Sequence, residues 1–151
     1  MTDGTTELNA TPRPGVGFYY DLVKASVQRI IDGLTVELAE LPLTALGVTP
    51  GWLRSEQMLE HFGVREDNWR DACPAVPGFE VSESPTYVAR GVAALAADPE
   101  VVRFAGEVLT SRGLADTYAV TDVDGSKPDC WSLVAAHGFD HGRPDDIEAY
   151  R

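Results

Sequence analysis

The sequence predicts an α/β fold with parallel strands. Two observations carry that reading. Apolar residues recur every three or four positions from Phe18 to Leu38, the signature of an amphipathic helix. Two short apolar runs, 43–48 and 106–110, are flanked by Gly or Pro and separated by a further helical pattern, as buried parallel strands would be. Helices alternating with such strands indicate α/β architecture.

Taken in order, residues 1–17 are rich in Thr, Gly and Pro and read as a loop. The first helix begins near Phe18 and carries Leu22, Val23, Ser26, Val27, Ile30, Ile31, Leu34 and Leu38 on its periodic positions. Gly33 is tolerable inside it, and Pro42 requires that the helix has already ended. Residues 43–48 form the first expected strand, closed by Thr49, Pro50 and Gly51. Residues 52–82 are mixed, with helices expected near 55–62 and 66–72 and a Pro/Gly loop at 74–78. Ser84 and Pro85 open the next helix, as a cap residue followed by proline at the first helical position. Tyr87, Val88, Gly91, Val92, Leu95 and Ala96 make its apolar stripe. Asp98 and Pro99 end it, with one short turn through Val102. The second strand is expected at 106–110. Beyond Ser111 the pattern weakens, and 137–151 reads as an acidic tail. Two strands cannot cover both helices, so the order looks like half of a larger unit.

Composition narrows the function. The chain has 151 residues, 44% of them apolar, enough for one domain with its own core. Its formal net charge of -12 disfavours nucleic acid and anionic membrane surfaces as partners. No apolar run approaches the roughly 20 residues needed to span a bilayer. The first residues lack a basic region and an apolar region, so no secretory signal is expected. Cys73 and Cys130 show no metal-ligand spacing and are expected to be free buried thiols, which suits a cytoplasmic location.

The candidate chemistry starts at Tyr20 and Lys24. A spacing of four places both on one helix face, roughly 6 Å apart. A nearby cation favours the phenolate and moves a tyrosine toward use as an acid/base. After the helix and one strand comes Pro50, Gly51, Trp52, Leu53, Arg54 and Ser55. Elsewhere, His137, Asp140 and His141 have metal-like spacing in a glycine-broken segment, and no metal site is expected there. Asp122, Asp124 and Gly125 read as a turn rather than a calcium loop.

With these motifs in this order, residues 1–128 resemble the C-terminal half of the short-chain dehydrogenase/reductase family. The resemblance rests on Tyr-x-x-x-Lys at the start of a long helix, a short strand, a Pro-Gly turn with a hydroxyl residue soon after, an insert, a helix and a last strand. It implies the C-terminal portion of a Rossmann-like doubly wound parallel sheet, with 129–151 as a C-terminal tail. It implies an oxidoreductase that moves a hydride between NAD or NADP and an alcohol or carbonyl substrate. Tyr20 would be the catalytic acid/base, and Lys24 would hold the nicotinamide ribose and lower the Tyr20 pKa. Pro50 and Gly51 would shape the turn under the nicotinamide, and Ser55 would contact its carboxamide or phosphate. The insert 52–79 would be the substrate lid, with Trp52, Met58, Leu59, Phe62 and Trp69 lining the substrate or simply packing on the helices.

Two departures qualify the expectation. No serine precedes Tyr20: Thr5, Thr6, Glu7 and Leu8 occupy the distance at which the family carries its substrate-polarising serine, and with a short insertion that position falls on Thr2 or Asp3. The glycine-rich turn that holds a dinucleotide pyrophosphate is not found in these residues. The expected consequence is a truncated chain, impaired on its own, that works as a homo-oligomer or beside a partner covering the missing half. Three origins fit: a start assigned too late in a longer enzyme, a genuine short subunit, or a remnant. The alternative function is a non-catalytic interaction or small-molecule-binding protein derived from the fold.

Overall fold

The computed structural model describes residues 3–6, 10, 17–139 and 142–151. Helix α1 spans Phe18–Glu37 and leads into strand β1, Gly47–Thr49. Helix α2 (Glu56–His61) follows, then 3-10 turns at Trp69–Ala72 and Phe79–Val81. Helix α3 spans Pro85–Ala96. After a turn at Val101–Phe104, strand β2 (Val108–Thr110) runs directly into helix α4, Ser111–Tyr118. Helix α5 spans Cys130–His137, and a last turn covers Ile147–Tyr150.

The two strands pair in parallel, with Gly47 opposite Val108, Val48 opposite Leu109 and Thr49 opposite Thr110. The architecture is thus α/β, as expected, with a small two-stranded sheet. The first strand is shorter than the apolar run that announced it. Gly106 takes a left-handed φ of 82°, which bends the partner chain so that the ladder starts only at Val108. Ahead of it, single hydrogen bonds from Gly106 N–H to Ala45 O and from Gly47 N–H to Glu107 O hold the approach. Leu43, expected inside the strand, is exposed.

Among the described residues, three apolar clusters form the interior. Val48, Val88, Leu95 and Leu114 join the sheet to α3 and α4. Leu59, Trp69, Ala72 and Phe79 make an aromatic cluster within the insert. Val81, Cys130, Leu133, Val134 and Ile147 make the third. Residues 129–151, which the sequence separates as a tail, therefore supply most of one core cluster. Helices α4 and α5 lie where the periodic signal is weak: α5 is apolar nearly all round, and α4 is short.

One expected element differs in kind and another in its cap. The 66–72 helix is only a 3-10 turn, because the Asn68 side chain accepts the Arg65 N–H and closes a local turn instead. At α3, Pro85 occupies the first turn as expected, but Ser84 makes no cap bond. Its hydroxyl and N–H both donate to buried Asp122. Helix α1 forms as expected, yet Ile31 is its one buried residue. Leu22, Val23 and Ile30 are each more than half exposed.

Candidate functional site

The turn at the carboxyl end of β1 opens onto a cavity of about 700 Å³. Parallel α/β sheets place ligands at this edge, where the strands end and the loops begin. Tyr20 and Lys24 reach the cavity from the first turns of α1. Pro50, Gly51 and Trp52 reach it from the turn after β1, and Ser55 and Met58 from the start of α2. Cys130, Trp131, Leu133 and Val134 of α5 form a further wall.

The structure thus gathers Tyr20, Lys24, Pro50, Gly51 and Ser55, the outermost of which lie 35 positions apart in the sequence, around one space. One helical turn sets the Lys24 ammonium 5.4 Å from the centre of the Tyr20 ring. The Tyr20 hydroxyl donates to Asp3 Oδ2 at 2.5 Å, and Asp3 also lines the cavity. Of the two positions considered for a substrate-polarising group, Asp3 is therefore beside the phenol, and Thr2 lies outside the described residues. Asp140 and His141, the other partners in the metal-like spacing, also lie outside them.

Hydrogen bonds from elsewhere in the fold shape the Pro50–Gly51 turn. Trp131 Nε1–H donates to Pro50 O at 3.0 Å. Gly51 N–H donates to Glu83 Oε2 at 2.9 Å. Buried Thr49 accepts the Gly4 N–H at 3.0 Å, which ties the segment carrying Asp3 to the end of β1. Glycine is required at 51: a Cβ there would lie 2.7 Å from the Cys130 Cβ and 3.0 Å from Glu83 Oε2. Ser55 caps α2 by accepting the Met58 N–H at 3.2 Å, which leaves its own O–H for donation.

The insert divides in two. Trp52 and Met58 line the cavity, whereas Leu59, Phe62 and Trp69 do not. Leu59 and Trp69 are buried against Phe79, and Phe62 packs on the same cluster. Phe79 sits edge-on to three rings, with centroids 5.3 Å from Trp52, 5.1 Å from Phe62 and 5.8 Å from Trp69. These aromatics form the floor that positions the insert. Both cysteines are free, as expected, although Cys73 is only partly buried. Burial pushes the Cys130 thiol up to about 12, so it faces the cavity as a neutral group.

The sequence reading passed over the α5 wall and Glu83. The α5 residues carry no period that marks a face. Glu83 stands between Ser82 and Ser84, where nothing local announces a buried carboxyl.

No family model matches the chain. Among curated proteins it is similar to dehydrogenase/reductase SDR family member 1 of Mus musculus, with 32% identity over 108 residues. It is also similar to the protein of the same name from Homo sapiens, with 29% identity over 110 residues. Each match covers 70% of this chain and 34% of the relative, so the chain spans about one third of the length of the curated relatives it matches.

Proposed function

We propose that this chain, which is related to the short-chain dehydrogenase/reductase family, carries the proton-handling half of an oxidoreductase acting on an alcohol or carbonyl substrate. Its two-stranded sheet is then the C-terminal portion of a Rossmann-like doubly wound sheet. The observation that carries the reading is the convergence of Tyr20, Lys24, the Pro50–Gly51 turn and Ser55 on one cavity.

Within it, Tyr20 gives its phenol proton to the oxygen of a carbonyl being reduced and takes a proton back in the reverse direction. The Lys24 charge favours the phenolate that this exchange leaves. Asp3 holds the hydroxyl in place between turnovers. Trp52, Met58 and the α5 residues exclude water from the reacting oxygen.

The residues suit the nicotinamide end of NAD or NADP. Lys24 offers ammonium donors to ribose hydroxyls, Ser55 offers its O–H, and about 700 Å³ falls within the ordinary range of small-molecule sites. When bound, the nicotinamide supplies or accepts the hydride. No glycine-rich phosphate turn is found in the sequence, so these residues alone hold a whole dinucleotide weakly. The exposed apolar side of α1 is then covered by a second copy or by a partner subunit.

The test uses reduced nicotinamide mononucleotide, the portion of the cofactor that the cavity suits. Titrating it into the ¹⁵N-labelled chain should shift the amides of Lys24, Gly51 and Ser55. Tyr20→Phe should preserve those shifts and reduce any turnover of aldehydes or ketones by about 100-fold or more. No shifts at millimolar ligand, or unchanged turnover in the variant, would sink the reading.

A further inference from the structure

Glu83 is a carboxyl group that the proposed chemistry does not use. It is 1% exposed, yet it belongs to no helix and no extended strand ladder. Its backbone pairs with the segment after the Pro50–Gly51 turn: Glu83 N–H donates to Trp52 O at 2.9 Å, and Arg54 N–H donates to Glu83 O at 2.8 Å. Its side chain then reaches the exits of both strands. Oε2 accepts the Gly51 N–H, two residues past β1. Oε1 accepts the hydroxyl of Ser111, the first residue past β2, at 2.6 Å.

We propose that Glu83 is a positioning residue for the cavity, tying the Pro50–Gly51 wall to the start of α4 and loosening that tie when it takes up a proton. The argument rests on the two donors being different in kind. The Gly51 amide can only donate, so it needs an acceptor at Oε2 in every state. The Ser111 hydroxyl can rotate and accept. A proton arriving at Glu83 therefore goes to Oε1, where Ser111 accommodates it. Gly51 is then left on the carbonyl oxygen of a neutral acid, and its bond loses the strengthening that a full charge provides. The Gly51 backbone is part of the cavity wall, and Trp131 Nε1–H grips the carbonyl of the preceding residue, so the change reaches the wall.

The setting supports a proton change near neutrality. Burial is the main cause that pushes the Glu83 carboxyl up to about 7, against the two hydrogen bonds that favour its charge. Among the described residues, the titratable or charged groups facing it are Tyr87 of α3, Cys130 of α5, and Arg54 and Asp122, which pair with each other at 3.4 Å. Burial drives the Tyr87 phenol and the Cys130 thiol upward, away from the neutral range.

The proposal concerns the wall itself and does not depend on the oxidoreductase reading. The experiment follows the Gly51 amide and the Trp131 indole proton by NMR from pH 5 to 9, with no ligand present. In the wild-type chain both should move with one midpoint near 7, with the Gly51 proton going downfield as pH rises. Glu83→Gln, which keeps the shape of the side chain, should make both flat. Ser111→Ala removes a bond that favours the charged form and should move the midpoint upward. A flat Gly51 in the wild type overturns the proposal. So does a titration that persists in Glu83→Gln, or a Gly51 that moves while the Trp131 indole stays flat. Failure of nicotinamide mononucleotide to bind would count against the proposed function and leave this result untouched.

Discussion

At the scale of single residues, the site depends on groups whose roles are set by what surrounds them. Tyr20 and Lys24 are paired by one helical turn, which any helix would do. The bond from Tyr20 to Asp3 crosses from the helix to the start of the chain, and no local rule dictates it. Arg54 shows the same contrast. It is 3% exposed and spans Glu66, the Ser82 carbonyl and Asp122, with its guanidinium 4.3 Å from the Trp69 ring. Glu83 has a consequence for stability as well as position. Its carboxyl rises from an ordinary 4.5 to about 7 on folding. Between those values the folded chain holds a proton that the unfolded chain has released, so the contribution is full below pH 4.5 and is lost as pH climbs through 7. The loss amounts to about 3 kcal/mol, at roughly 1.4 kcal/mol per pKa unit. Urea unfolding of the wild type and of Glu83→Gln at pH 5 and pH 8 checks this. The wild type should lose stability relative to the variant by that order as pH rises, and an equal change in both would refute it.

At the scale of elements, close approach determines the packing. Helix α3 lies on α4 through Gly91, where a Cβ would stand 2.9 Å from the Leu114 Cβ. Leu114 is 1% exposed and belongs to the cluster that joins both helices to the sheet. Gly91→Ala adds helix propensity to α3 and at the same time overpacks this contact. Overpacking dominates, because neither backbone can yield, and the variant should lose about 1–3 kcal/mol in chemical denaturation. A more stable variant would mean that the helices separate freely. In the sequence, Gly91 stands within an apolar stripe and looks like one more small residue. The start of α3 was legible from Ser84–Pro85, although Ser84 makes no cap bond, whereas the Ser55 cap of α2 was not marked by the sequence. Helix α5 was not legible, since eight residues that are apolar on nearly all sides show no period to read.

At the scale of the whole molecule, the apolar residues of α1 remain largely outside. Phe18, Leu22, Val23 and Ile30 are exposed along one helix, beside a net charge of -12 that otherwise keeps copies apart. If that face is covered by a second copy, sedimentation should show association that strengthens with concentration and salt. Leu22→Glu with Ile30→Glu should return the chain to a single 16.3 kDa species. A wild type that stays at that mass throughout would exclude self-association. The amino-acid sequence by itself determined that α1, α3 and two parallel strands form, and which motif residues to expect in one site. Those depend on periodicity and on neighbours within one helical turn. Only the tertiary structure decided that α1 buries Ile31 and little else. It alone brought Asp3 to Tyr20, sent Leu59, Phe62 and Trp69 into a core, and made α5 a wall of the cavity. It also placed a lone glutamate between two strand ends. Each of these joins residues far apart in the chain, and burial and pairing across such distances are properties of the packed molecule that no local pattern encodes.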